Sequence, residues 1–240
     1  MKSFSNTYTF IFSSVMVIIV AALLSVASLT LKPFQDKNIE IEQKLNILKT
    51  VGKSGGAENA TDKNRFIEQE YNKYITDSYV VNSKGEKVQG ITAFNIDLKE
   101  ELDKPTEKQN LPVFVFTDDD GAHKFIFPVR GKGLWGPLWG YVALNDDYNT
   151  IFGVTFDHKS ETPGLGAEIS TIEFQEKFKG KMLFENEKFV SVKVVKGGAS
   201  PGDLHGVDAI SGGTITSIGL QNMLGDCLGN YQNYFKTLKK

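Results

Sequence analysis

Two periodicities divide the chain. From Phe10 to Leu31 it carries 22 residues without a charge, "FIFSSVMVIIVAALLSVASLTL", and from about residue 78 the apolar positions change to a period of two. At 1.5 Å per residue the uncharged run is long enough for a hydrocarbon layer of about 30 Å. A cleaved signal peptide is the rival reading, since "SVAS" at 25–28 resembles a small-residue cleavage site. The run is longer than a signal core and continues past that site, so a retained single-pass anchor is expected. Residues 36–51 continue helically with Ile41, Leu45 and Leu48 on one face. The glycines of "GKSGGAENA" (52–60) read as a loop, and Thr61 or Asp62 as the cap of a second helix that turns Phe66, Ile67, Tyr71, Tyr74 and Ile75 inward. This pattern divides the chain into a tail and anchor (1–35), a helical connector (36–77) and one domain (78–240).

Within the domain, "YVVNSKGEKVQGI" predicts a hairpin turning at Asn82–Gly85, and "LPVFVFTDDDGAHKFIFPV" predicts a second around an acidic turn. "WGYVALNDDYNTIFGVTFDH" gives two more strands around Asn145–Asn149, and "KFVSVKVV" (188–195) a further one. "STIEFQEKFKG" reads as a short helix with a capping box at Ser170 and Glu173 and Gly180 at its end. A last helix runs from about Thr216 to Leu238, with Leu220, Met223, Leu224, Cys227, Leu228 and Tyr231 as its apolar stripe. The expected fold class is α+β: one transmembrane helix, then one domain of twisted antiparallel sheets flanked by helices.

Composition narrows the chemistry. The 240 residues are 40% apolar and 23% charged, enough for a sizeable core, and the net charge of −2 without a basic patch excludes nucleic acid as an expected partner. Cys227 is the single cysteine and belongs to an apolar stripe, which makes it core rather than nucleophile. His123, His158 and His205 have no metal-ligand spacing, so no metal site is expected. The run Asp118–Gly121 is not an EF-hand, because its fifth position is Ala122; it reads as a solvated turn.

Three segments exceed what structure alone asks for. "RGKGLWGPLWGY" (130–141) packs four glycines and both tryptophans into twelve residues, which suits either a hydrophobic corner or close approach to a ligand. "HKSETPGLGAEI" (158–169) places Glu161 and Thr162 at the end of an apolar strand, before a Thr-Pro-Gly turn. "DAISGGT" (208–214) puts Ser211, Gly212, Gly213 and Thr214 at a helix start, where free N–H groups and the positive dipole end favour an anion such as phosphate, although simple capping uses the same residues. No Walker lysine follows and no GxGxxG opens a strand–helix unit, so ATP and NAD have no cradle here.

Together, "PVRGKGLWGPLWGY", "HKSETPGLGAEI" and "DAISGGT" resemble the C-subunit family of the Na+-translocating NADH:quinone oxidoreductases, over the anchor and essentially all of the domain. In that family the motif D-x-x-[S/T]-G-A-T is recognised by a flavin transferase, which couples FMN, drawn from FAD, to the final threonine as a phosphoester. The match here is Asp208, Ser211, Gly212 and Thr214, with Gly213 in place of the usual alanine. The resemblance implies that Thr214 is a tether for covalent FMN rather than a nucleophile in turnover. It also implies that Glu161, Thr162, Leu165 and Gly166 approach the flavin ring and that Trp135 packs near it.

The resemblance further implies an electron-carrying subunit of an NADH:ubiquinone reductase that transports sodium. Its expected partners are the other membrane subunits of a respiratory complex, membrane lipid, and the flavin transferase during maturation. It places the soluble domain outside the cytoplasmic (inner) membrane. Lysine counting points the other way, with Lys2 before the span and Lys32, Lys37, Lys44 and Lys49 after it, but large domains translocate regardless of flanking charge. The G-subunit of the related ferredoxin:NAD+ oxidoreductase complex shares the flavin motif and the E-T-P-G-L-G loop; the "GKGLWGPLWGY" segment favours the sodium pump. A flavin-free, membrane-anchored binding module is the alternative of another class.

Overall fold

A single 45-residue helix, α1 (Asn6–Thr50), takes up the uncharged run, continues past Pro33 and includes most of the stretch expected to be helical at 36–51. Its most apolar window has a mean hydropathy of 2.7, and it is long and apolar enough to cross a membrane. The computed structural model describes residues 5–238 and divides the chain into two units, Met1–Gln43 and Lys44–Lys240.

The second unit is built on a six-stranded antiparallel sheet. Its strands are β1 (Ile75–Asn82), β2 (Lys87–Val88), β3 (Asn110–Thr117), β4 (His123–Lys132), β5 (Pro137–Leu144) and β6 (Ile151–His158), in the spatial order β2-β1-β3-β4-β5-β6. Three of its four hairpins turn where polar residues interrupt the apolar period: Gly85 N–H donates to Asn82 O (2.9 Å), Gly121 N–H to Asp118 O (2.9 Å) and Tyr148 N–H to Asn145 O (3.0 Å). The register pairs Phe114 with Ile126, Phe127 with Val142, and Val142 with Val154.

Both faces of this sheet are covered, which is why β3 reads as a near-continuous apolar run instead of alternating. One face carries Phe127, Val129, Leu138 and Val142 in a common core with the stripe of α5 (Thr214–Asn230): Leu220, Met223, Leu224, Cys227 and Leu228. On the other face, Phe116 meets Tyr74 of α2 (Lys63–Tyr74), and Phe114 meets Phe94 and Tyr141. Asp62 caps α2 by accepting from Arg65 N–H at 3.0 Å. The last turn of α1 lies against β6, where Thr50 Oγ1 is 2.8 Å from Thr155 Oγ1. Gly153 is required at that contact, because a Cβ there would run into the Thr50 carbonyl oxygen.

Cys227 is core, as its stripe implies. Its thiol lies between Arg130 N–H (3.4 Å) and Arg130 O (3.2 Å), and burial pushes its pKa up to about 11.

The structure differs from the sequence reading in four places. The helix of the 170–180 segment is α4 (Ile172–Glu176), after α3 (Leu98–Leu102), and its cap is Thr171, whose hydroxyl accepts from Phe174 N–H at 3.4 Å. Ser170 already belongs to a 3-10 turn, Gly166–Ser170, so it lacks the extended backbone of a cap. "KFVSVKVV" is two strands, broken at Ser191 with φ 58°. Its first half, β8 (Lys188–Phe189), returns on β7 (Phe184–Glu185), while β9 (Lys193–Val195) pairs in parallel with β10 (Gly206–Asp208). The terminal helix breaks at Tyr231 into α5 and α6 (Gln232–Leu238). The acidic turn is anchored as well as solvated: Lys53 reaches Asp118 (2.8 Å) and Asp119 (3.1 Å), and these carboxylates hold its ammonium well above the usual lysine range.

Two glycine substitutions test this packing in opposite directions. Gly153→Ala is expected to destabilise the protein by about 1–3 kcal/mol, because the methyl group meets backbone that cannot move aside. Gly225→Ala, inside α5 with open space around its Cα, is expected to stabilise by about 0.5–1 kcal/mol. Urea unfolding of the detergent-solubilised protein measures both; a reversal of either sign would contradict the packing.

Candidate functional site

The two loops singled out in the sequence interlock, and their glycines mark where. β4 ends at Lys132, and the chain turns back into β5 with Gly133 N–H donating to Gly136 O (2.8 Å). At the tip of this turn Trp135 is 66% exposed, yet its peptide is held at both ends: its N–H donates to Glu161 Oε1 (2.8 Å) and its carbonyl accepts from Ser160 Oγ (3.0 Å). A Cβ at Gly133 would lie 2.5 Å from Glu161 Oε1, and one at Gly136 would lie 2.7 Å from Ser160 Oγ. The glycines reserve volume for polar side chains of the other loop.

Glu161 itself is buried, with 5% of its surface exposed. Its second oxygen accepts from Thr216 Oγ1 at 2.6 Å, and its own N–H donates to His158 Nδ1 at 3.2 Å. A Cβ at Gly166 would collide with Glu161 Oε2 and lie 2.5 Å from Thr216 Oγ1. This carboxylate therefore joins the Trp135 turn, the 158–166 loop and the start of α5. Beyond it, Thr162 O accepts from Leu165 N–H (3.1 Å) and Ala167 N–H (3.2 Å), while Gly164 takes φ +75°, the left-handed geometry its turn requires.

The third segment opens α5. Gly212 has φ +74°, and Gly213 occupies the cap position without any side-chain capping bond. The first turn closes with Ser217 N–H donating to Gly213 O (2.9 Å), so the N–H groups of Thr214, Ile215 and Thr216 precede the first intrahelical bond. The neighbouring hydroxyls are engaged: Thr216 donates to Glu161, Ser217 Oγ accepts from Ile210 N–H (3.2 Å), and both residues are 1% exposed. Thr214 is left half-buried at the cleft wall.

These elements enclose a cleft of about 220 Å³. Trp135, Glu161, Thr162, Leu165, Gly166, Gly212, Gly213 and Thr214, all singled out from the sequence, line it; Asp208 and Ser211 do not. Asp208 stands on β10, where its carboxylate accepts from Ala199 N–H (2.8 Å) and lies 3.9 Å from Lys177 Nζ. Ser211 is exposed on the turn ahead of α5. Leu134, Ile215 and Thr216 also line the cleft and were not foreseen; Thr216 in particular carries only the weak signal of a hydroxyl on the inner side of an amphipathic helix. The lining offers two chemistries. Leu134, Trp135, Leu165 and Ile215 present apolar surface that is 41–66% exposed, and the uncapped helix start presents N–H groups and a positive dipole end. A planar, largely apolar ring bearing a phosphate fits both halves.

Comparison with known proteins agrees with that geometry. Residues 133–229 match the FMN-binding domain family, a span that holds the second and third segments whole and the first from Gly133 onward. The chain is 33% identical over 251 residues to the C-subunit of the Na(+)-translocating NADH-quinone reductase of Neisseria meningitidis serogroup B, covering 99% of this chain and 95% of that protein. It is 30% identical over 229 residues to the protein of the same name from Vibrio vulnificus, covering 89% and 87%. Among solved structures, it superposes on the corresponding C-subunit from Parabacteroides distasonis with a TM-score of 0.74 at 42% identity, over 85% of this chain and 96% of that one.

Adjacent glycines of the helix start are expected to respond differently to alanine. Gly212→Ala forces a left-handed side chain whose Cβ lies 2.6 Å from Leu165 Cδ2, which costs about 1–3 kcal/mol. Gly213 has φ −103° and its nearest neighbour is Ile210 Cγ2 at 3.0 Å, so Gly213→Ala is expected to stay within about 1 kcal/mol of the starting stability. Thermal unfolding of the two variants checks the order; a larger loss at 213 than at 212 would contradict it.

Proposed function

The chain belongs to the C-subunit family of the Na(+)-translocating NADH-quinone reductases, and from that premise we propose how its own residues hold the flavin. It is an FMN-carrying, electron-transferring component of that oxidoreductase complex. Bound FMN supplies the redox chemistry; the protein supplies attachment, orientation and exclusion of water.

Thr214 is the tether. During maturation its Oγ replaces AMP at the flavin-bearing phosphorus of FAD: the phosphoanhydride bond breaks, a phosphoester to Thr214 forms, and the hydroxyl proton is lost. A flavin transferase carries out that step. The observation that carries the choice of Thr214 is the state of its neighbours, since Thr216 and Ser217 are buried and hydrogen-bonded while Ser211 lies outside the cleft. The N–H groups and dipole of α5 then stabilise the remaining phosphodiester charge by about 0.3–2 kcal/mol. Leu134, Trp135, Leu165 and Ile215 shield the ring, and Thr162 lies at the cleft wall beside it. Asp208 keeps register from a distance by tying the Ala199 turn to β10.

The N-terminal helix is the membrane anchor, with the second unit on the outer side of the cytoplasmic membrane and lipid and the other membrane subunits as its partners. The relatives named above are C-subunits of the sodium pump, which favours this reading over the G-subunit of the ferredoxin:NAD+ complex.

Thr214→Val, made together with the transferase, is expected to lose the fluorescent flavin band on a denaturing gel, and the assembled complex to lose quinone reduction. Because Thr214 is the first helical residue and not the cap, folding should change by less than about 1 kcal/mol. Ser211→Ala should weaken attachment without abolishing it. FMN found by mass spectrometry on the Thr214→Val protein would overturn the assignment.

Sidedness has its own test. Cysteines introduced singly at 52–60 should react with an impermeant maleimide in right-side-out spheroplasts. Cys227 adds no background, being buried with its thiol pushed up to about 11, whereas the thiolate is the reacting form. Protection until the cells are broken would place the domain in the cytoplasm.

A further inference from the structure

We infer that Ser160 and Glu161 are positioning residues that hold the exposed Trp135 indole as a fixed wall of the flavin slot, Glu161 also coupling that wall to the threonine-bearing helix. The inference rests on the flavin reading of the cleft and deepens it: the carboxylate expected to approach the ring acts through Trp135 and Thr216.

Three observations carry it. Trp135 has an exposed side chain on a restrained backbone, its N–H and carbonyl gripped by two consecutive residues of the other loop, at 2.8 and 3.0 Å. Both Glu161 oxygens are engaged, one by Trp135 and one by Thr216, two residues beyond the tether. The volumes around these groups are kept open by Gly133, Gly136 and Gly166, at each of which a Cβ would come within 2.7 Å of a gripping oxygen or collide with it. An exposed indole on a free loop samples rotamers in picoseconds to nanoseconds and backbone states from nanoseconds upward. A pinned peptide removes the backbone part of that freedom, so fewer states of the indole remain to be ordered when a ligand enters the cleft it lines with Leu134 and Leu165. Glu161 then makes the distance from the indole to Thr214 a property of one side chain.

Trp135 fluorescence reads this directly. In full-length protein carrying Trp139→Phe, prepared flavin-free and verified so by its lack of visible absorption, the nanosecond anisotropy of Trp135 should show a large residual component. Glu161→Ala and Ser160→Ala should lose much of that component with the far-UV spectrum unchanged. Glu161→Gln should keep more of it than Glu161→Ala, because its amide oxygen still accepts the Trp135 N–H. If Glu161→Ala does not fold, Ser160→Ala and Gly136→Ala, which displaces the Ser160 hydroxyl, decide the matter. Unchanged anisotropy in the folded variants overturns the positioning role. In FMN-loaded protein the same variants should shift the visible circular dichroism of the flavin; mobility gained at Trp135 with an unaltered flavin signal overturns the wall. Failure of the attachment reading shows separately, as FMN on Thr214→Val.

Discussion

The site depends on burying a carboxylate without a cation. Glu161 has 5% of its surface exposed, and among the described residues no lysine or arginine pairs with it. Such a group is tolerated only when hydrogen-bond donors replace the water it gives up. Here the donors are a backbone N–H from the tip of one hairpin and a hydroxyl from the first turn of a helix. Satisfying one side chain thus forces three segments, far apart in the chain, to meet at fixed distances. The cleft, its apolar plates and the orientation of Thr214 follow from that meeting.

The surrounding fold supplies rigidity. The sheet is covered on both faces, by α5 on one side and by α2 with the last turn of α1 on the other, so the β4–β5 hairpin projects from a packed base. α5 serves twice: its apolar stripe closes the core, and its uncapped start faces the cleft. The polar and apolar halves of the site are therefore carried by elements that the core already holds in place.

What could be read from the sequence was what is local. The uncharged run, the period-two hairpins and the stripe through Leu220 and Leu228 each follow from neighbours a few residues apart, and three of the sheet's four hairpin turns fall where polar clusters break the period. The parallel pairing of β9 with β10 joins strands from separate segments and leaves no periodic trace. The left-handed Ser191 that splits 188–195 is equally silent, since serine has no preference that announces it. The cap moved from Ser170 to Thr171 because the preceding turn extends a residue further than the motif alone implies. At the candidate site, the place of Thr214 and its glycines at a helix start was legible because they stand in one stretch. The engagement of Glu161 with Thr216 spans 55 residues and was not, and the same holds for Asp208, whose partner Ala199 moves it off the cleft wall.

The glycines of the two loops also bear on how this protein can change. Gly133, Gly136 and Gly166 do not supply flexibility; each is the empty half of a volume whose other half is Glu161 or Ser160. Substitutions on the two loops therefore cannot be judged one at a time. A methyl group gained at 133 or 166 is tolerable only if the carboxylate facing it becomes shorter, and a shorter carboxylate abandons Trp135 or Thr216. Such positions are non-additive by construction. The two loops are in that sense one heritable unit, in which drift at either site is confined to paths that alter both together.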